Sequence, residues 1–168
     1  MSTHIAPKAP CPYGDSLKPC IFAPAMVTKC QKRISGHLLD RIDIHTEVPR
    51  VDYEKLSEDR VGELSETIRK RVQAARDIQR VRFSKLESKH PIVCNADMRV
   101  GEIRQYCKLQ DEGQSLMRAA MTQLNLSARA YHRILKLART IADLAGSEEI
   151  QSTHLAEALQ YRPKLMIG

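Results

Sequence analysis

The chain has 168 residues, of which 42% are hydrophobic and 28% charged, so it can bury a core and is not typical of a disordered protein. Aromatic residues make up only 4%, which favours a helical core of aliphatic side chains, and the net charge of +7 attracts phosphate groups. No apolar run of about 18 residues and no leader pattern occurs, which excludes a membrane span and a signal peptide and predicts a cytoplasmic location.

The N-terminal third shows few regular patterns. Residues 1–24 contain five prolines and predict a loop or tail, and residues 25–35 predict a short helix that ends before Gly36. Apolar residues then alternate with polar ones from Ile42 to Val48, which predicts a half-buried strand ended by Pro49. A single strand is not stable alone, so this pattern presupposes a sheet.

A long basic helix is predicted next. Apolar residues recur at helical spacing from Leu64 to Ile78, so a helix should run from Ser65, as its cap, to about Phe83. Residues 61–90 hold eight Lys or Arg against four Asp or Glu. The candidate nucleic-acid contacts on this helix are Arg69, Lys70, Arg71, Arg76, Arg80 and Arg82. A plain solvated face is the more common meaning of such a charge pattern.

The C-terminal half predicts a compact group of helices. Residues 86–97 contain Pro91 and Asn95 and predict a linker. Four helices should follow: one over Val100–Cys107, one from Asp111, one capped by Ser127 and ended by Gly146, and one from about Ser152. Residues 98–168 are therefore predicted to form a four-helix unit.

Three blocks of sequence resemble one family in the same order. They are RISGHLLDRIDIHTEVPRV at 33–51, GELSETIRKRVQAARDIQ at 62–79, and LNLSARAYHRILKLARTIADLAGSEEI at 124–150 followed by HLAEALQYR at 154–162. Together they resemble the C-terminal portion of AAA+ ATPases of the magnesium-chelatase-like ComM/YifB family. The resemblance implies a mainly α chain: a remnant of an α/β core with one or a few short strands, then a four-helix lid.

The same resemblance implies a division of the chain. Residues 1–24 would be a loop or tail, and residues 25–85 the end of the AAA+ core with the arginine-finger segment and the basic helix. Residues 86–97 would be the linker and residues 98–168 the helical lid.

Arg41 is implied by the resemblance to be the arginine finger, with Asp40 orienting it. A guanidinium supplied in trans can contact the charge that develops on the γ-phosphate and stabilise the transition state. The two residues taken by themselves also fit a local ion pair at the start of the strand.

Arg129 is implied to be the sensor-two residue, which contacts the nucleotide phosphates of its own subunit, with Arg133 one turn further on supporting it. A cation in the first turn of a helix opposes the helix dipole at a cost of ~0.3–1 kcal/mol, which invites a functional reason. A tolerated surface arginine is the alternative.

The phosphate-binding parts of an ATP site do not occur in this sequence. No G-x-x-x-x-G-K-[ST] motif and no Walker B pair of acids is found. ATP and Mg²⁺ are therefore expected in the complete family protein, whereas this chain alone should hydrolyse no ATP and hold no cofactor. The chain is expected to be either a fragment or the product of a truncated gene whose residues 1–9 are not family sequence.

The cysteine pattern departs from the family. Tyr13 and Phe22 occupy two of four family cysteine positions, and Cys11 and Cys20 alone cannot complete a tetrahedral zinc site, so no metal is expected. His45 is expected to be a polar surface residue.

Three functions remain open. The first is the C-terminal part of a motor ATPase that acts on DNA in recombination or competence, in a ring homo-oligomer or with a homologue that carries the phosphate-binding loop. The second is a stand-alone basic helical DNA-binding module. The third is a regulatory lid protein that inserts into a ring of full-length relatives.

Overall fold

A computed structural model describes residues 25, 41–46, 62–84, 86 and 91–162. The chain divides into two compact units, residues 1–42 and residues 43–168. In the first unit, Ala25 is helical and exposed, and Arg41 and Ile42 are also described. The predicted loop over residues 1–24 and the rest of the predicted helix over 25–35 lie outside the described residues.

The second unit is helical. Its elements are α1 (Ser65–Phe83), a 3-10 helix (Asn95–Asp97), α2 (Val100–Tyr106), α3 (Asp111–Gln123), α4 (Ala128–Leu144) and α5 (Ser152–Gln160). The predicted helices are confirmed in their order, and the mainly helical fold is confirmed with them. None of the helices in the described ranges is long and apolar enough to cross a membrane.

The strand predicted from Ile42 onward is not formed over residues 42–46, and residues 47 and 48 lie outside the described part. A strand needs a ladder of hydrogen bonds, whereas the backbone N–H of His45 donates one bond, 2.9 Å long, to the carbonyl of Tyr161. The only β-type pairing among the described residues is an isolated parallel bridge between Leu109 and Ile150.

Helix α4 lies at the centre of the core. It packs against α1, α2, α5 and the 3-10 helix, while α3 packs against α5. Its buried apolar residues recur at helical spacing: Ile134, Leu135, Ala138, Ile141 and Ala142. Such a stripe provides the apolar area that drives the helices together.

Helix α1 is buried only toward its C-terminal end. Ala75 and Phe83 are 3% and 5% exposed, whereas Leu64 is 67% exposed and Ile68 and Val72 are each 40% exposed. The apolar stripe predicted along this helix therefore remains exposed over its first two turns. Ser65 is also not the cap, since it is the first helical residue and follows Leu64, which makes no side-chain capping bond.

Glycine is required where α4 ends. Gly146 has φ of +67°, and the amides of Gly146 and Ser147 donate to the carbonyls of Asp143 and Ala142 at 3.1 and 2.8 Å. These two bonds form a Schellman motif, which satisfies carbonyls that the helix leaves unpaired.

Gly146→Ala is expected to lower the free energy of unfolding by about 1–2 kcal/mol, because an L side chain pays that cost in the left-handed region. Urea denaturation followed by circular dichroism measures it. Gly101→Ala is the matched control: this glycine lies inside α2, a Cβ there meets nothing within 4 Å, and a gain of about 0.4–1 kcal/mol is expected. Equal effects of the two substitutions would contradict the assignment.

Candidate functional site

Arg129 lies in the first turn of α4. Ser127 begins this helix as predicted, since its Oγ accepts a hydrogen bond from the amide of Ala130 at 3.1 Å. Ala130 is 1% exposed and fixes that turn against the core, whereas Arg129 is exposed. No hydrogen bond or ion pair joins the Arg129 guanidinium to any residue that the structure describes. A rigid helix end thus presents a cation to solvent.

Arg133, one turn further along α4, is held differently. Its Nη1 atom lies 2.7 Å from Oδ1 of Asp43, and the two side chains are 24% and 51% exposed. The pair attaches the segment at residues 43–46 to the face of α4 that also carries Arg129. The sequence did not predict this partner, and the role of Arg133 at a phosphate stays a prediction.

Arg41, which the resemblance implies to be the arginine finger, lies in the first unit, residues 1–42. Arg41 is exposed in a turn and has interactions of its own, while Asp40 lies outside the described residues. The assignment of both residues therefore stays a prediction.

Several candidate nucleic-acid contacts on α1 are neutralised by neighbouring acids. Lys70 pairs with Glu66 at 2.8 Å and Arg80 with Asp77 at 3.0 Å. A third pair joins Arg71 to Glu63 at 3.2 Å. Arg69 and Arg76 are exposed and form no ion pair with the residues that the structure describes.

Arg82 points into the protein and is not a surface contact, which corrects the sequence interpretation. It forms an ion pair with Asp143 of α4, whose side chain is fully buried, and its Nη1 donates to Asn95 at 2.9 Å. Asn95 in turn donates to Asp143 at 2.7 Å and to Thr140 at 3.1 Å. These bonds connect α1, the 3-10 helix and α4.

A second arginine completes this buried charge cluster, defined by Arg82, Asp143, Arg139 and Asn95. Arg139 donates from Nε to Asp143 at 3.0 Å and from its two Nη atoms to the carbonyls of Glu148 and Ser147 at 2.8 and 2.6 Å. Burial lowers the pKa of the Arg139 guanidinium, and the charge of Asp143 opposes that shift. The cluster joins four segments of the fold, so its role is structural.

Basic side chains line a cleft of about 650 Å³ between α2, α3 and α4. They are Arg104, Lys108, Arg118 and His132, and no Asp or Glu among the described residues lines it. The apolar part of its lining includes Met117 and Leu135, each 3% exposed. This basic cleft was not predicted from the sequence.

A second cleft, of about 610 Å³, lies beside the buried charge cluster. It is lined by Arg82, Arg139 and Lys108 but also by Glu148 and Glu149. Because acidic and basic side chains both line this second cleft, it attracts an anion less strongly than the basic cleft does.

The described part of the chain gives little support for a nucleophilic thiol or for a metal site. Burial raises the pKa of the Cys107 thiol to about 11, so it is almost entirely protonated at neutral pH and a poor nucleophile. No group of three metal-ligating side chains occurs among the described residues. Cys11 and Cys20 lie outside them, so the expected absence of zinc stays a prediction. His45 is only partly exposed, and its Nε2 atom is buried without a hydrogen-bond partner among the residues that the structure describes, which corrects its placement at the surface.

Comparisons with known proteins agree on one family. The chain is 42% identical over 142 residues to the competence protein ComM of Haemophilus influenzae, which covers 83% of this chain and 26% of that protein. It is 41% identical over 140 residues to YifB of Escherichia coli, and 29% identical over 154 residues to a Mycobacterium bovis protein, with 26% and 30% of those proteins covered. The chain thus spans about a quarter of the length of these curated relatives.

Two family models match consecutive parts of the chain. The model for magnesium chelatase, subunit ChlI, matches residues 2–56, which contradicts the alternative in which residues 1–9 lie outside family sequence. The model for the C-terminal part of the same subunit matches residues 62–162, which is more than half of the chain and includes α1 to α5. The chain therefore belongs to the magnesium chelatase ChlI C-terminal family and is related to the ComM and YifB proteins.

Proposed function

We propose that this chain is the lid-bearing C-terminal part of a magnesium-chelatase-like AAA+ motor ATPase. In this proposal Arg129 contacts the phosphates of ATP in its own subunit, and Arg41, oriented by Asp40, contacts the γ-phosphate held by a neighbouring subunit. The observation that carries the proposal is the placement of Arg129 on the first turn of α4.

The position of Arg129 is unfavourable in free energy, and no ion pair with a described residue offsets this. The positive end of the helix dipole opposes a cation in the first turn, and Arg129 recovers nothing through an acid among the described residues. The buried side chains of α4 hold the backbone of this turn, so binding a phosphate orders the Arg129 side chain without also ordering its backbone. A cation held in this way suits an anionic ligand that arrives from outside the lid. Arg133 would then orient the same face through its pair with Asp43.

ATP and Mg²⁺ would be held largely by sequence other than these 168 residues, since the phosphate-binding loop and the Walker B acids do not occur in them. The partner is thus either other copies in a ring whose subunits carry that loop, or a homologue that carries it. The Haemophilus relative is named a competence protein. The resemblance of the three sequence blocks to that family implies DNA as the substrate of the motor. The chain's net charge of +7 agrees with a polyanionic substrate.

The test is a hybrid ATPase, in which this chain replaces the matching segment of a ComM-type relative that carries a phosphate-binding loop. Arg129→Ala in the hybrid is expected to weaken ATP binding by about 10- to 100-fold, because a charge-assisted hydrogen bond to phosphate is lost. Fluorescent-nucleotide titration and the KM for ATP measure this change.

Arg69→Ala is the matched control, since Arg69 is also exposed and has no ion pair within the described ranges. It should leave nucleotide affinity within about twofold, as a single surface charge acts weakly through solvent. An Arg129→Ala hybrid that binds ATP as tightly as the Arg69→Ala hybrid would contradict the proposal.

A further inference from the structure

The basic cleft brings together basic side chains from three helices. Arg104 and Lys108 are contributed by α2 and the residues after it, Arg118 by α3 and His132 by α4. Arg104, Lys108 and Arg118 are exposed, and no ion pair joins any of them to a residue in the described part of the chain. Their charge is therefore available to a ligand.

The neighbours of Arg118 on α3 are uncharged. The positions one turn before and after Arg118 are Gln114 and Thr122, and both also line the cleft. The cations of α1 lie instead among Glu63, Glu66 and Asp77, which pair with three of them. A polyanion in the cleft would therefore contact no acid of the described lining, whereas along α1 it would meet cations that are partly neutralised by acids.

We propose that the basic cleft between α2, α3 and α4 binds single-stranded nucleic acid, with phosphates on Arg104, Lys108 and Arg118 and a base against its apolar floor. This site deepens the proposed action on DNA and rests on it for its biological setting. Binding at the site needs neither ATP nor the roles of Arg41 and Arg129.

The shape and lining of the cleft favour a single strand over a duplex. Bases in a duplex are stacked inside it, whereas a flexible strand can place a base in a concavity. Tyr131 lines the cleft and lies edge-on to His132, with ring centroids 5.4 Å apart, so the cleft offers aromatic surface beside its cations. Aromatic surface next to cations is the usual combination for binding single strands without sequence preference.

The experiment uses the 168-residue protein and a fluorescein-labelled oligodeoxythymidylate of about 16 nucleotides, followed by fluorescence anisotropy at several salt concentrations. The Arg104→Ala/Arg118→Ala protein is expected to bind on the order of tenfold more weakly. Its slope of log affinity against log salt should be smaller by about 1.4, since each phosphate contact to a single strand contributes about 0.7.

Arg69→Ala/Arg76→Ala removes the same charge from α1, the other candidate nucleic-acid surface, so the two alanine pairs compare the two surfaces. If the cleft is the site, the α1 pair should change affinity by less than about twofold. Arg104→Lys/Arg118→Lys keeps the charge and should retain most of the binding. Thermal unfolding confirms that each variant is folded. Equal weakening by the two alanine pairs, or greater weakening by the α1 pair, would overturn the proposal.

Three further results would also overturn it: no binding by the unchanged protein at low salt, tighter binding of a duplex of the same length, or equal competition by polyglutamate. The last would mean that the cleft takes an acidic polypeptide. Because ATP is absent from this assay, loss of the cleft and loss of the ATP-site roles give separate results.

Discussion

Asp143→Ala is expected to lower the free energy of unfolding by about 3–5 kcal/mol, the largest loss of stability among the substitutions considered. Asp143 is the one carboxylate between Arg82 and Arg139, and its side chain is fully buried. Removing it leaves two guanidinium groups together in the interior, and a buried charge without its partner costs far more than the pair contributes. Because small domains have only about 5–15 kcal/mol of stability in total, much of the native state would be lost.

Urea denaturation followed by circular dichroism measures this loss. Asp77→Ala is the matched control, because it also removes one partner from an ion pair within a helical segment, but the Asp77 and Arg80 side chains are 56% and 61% exposed. It should change stability by less than about 0.5 kcal/mol. Asp143→Asn should fall between the two, since it keeps a hydrogen-bond acceptor but removes the charge. A loss below about 1 kcal/mol for Asp143→Ala would show that the cluster is not a structural connection.

Arg41→Ala in the hybrid ATPase is expected to reduce kcat for ATP hydrolysis by about a thousandfold or more, the range seen for arginine fingers. The loss should fall on kcat rather than on nucleotide affinity, because the finger acts on charge that develops in the transition state. Arg41→Lys should restore little, since an ammonium cannot make the planar, two-bonded contact of a guanidinium.

Arg76→Ala is the control for this substitution, as an exposed arginine on α1 outside the proposed ATP site. Its kcat should stay within about twofold of the hybrid's own value. An Arg41→Ala hybrid with unchanged turnover would mean that Arg41 only forms a local interaction at its turn, which is the other interpretation that the sequence left open.

The helical core was predictable because its signal is local. The buried positions of α4 repeat at helical spacing, and Ser127 and Gly146 mark its ends by their own chemistry. The same spacing was a poorer guide for α1, because Ile68 and Val72 belong to its apolar stripe but remain 40% exposed. Periodicity shows which face of a helix is apolar but not what covers it.

The charged features were less predictable because they depend on contacts between distant residues. Arg82 lies 61 positions from Asp143, so the sequence pattern grouped it with the surface cations of its helix. The basic cleft combines Arg104, Arg118 and His132 from three helices. Each of these residues alone is typical of a solvated surface, and only the packing of the helices brings them to one cleft.

Mixing two kinds of subunit tests most directly whether Arg41 of one subunit acts on the ATP of a neighbouring subunit. Hybrid subunits carrying Arg41→Ala are mixed with hybrid subunits whose phosphate-binding-loop lysine is replaced, and ATP turnover is measured. An arginine finger acting in trans predicts that mixed rings hydrolyse ATP faster than the sum of the two inactive proteins, because an intact loop then meets an intact Arg41. A rate in the mixture equal to that sum would contradict it.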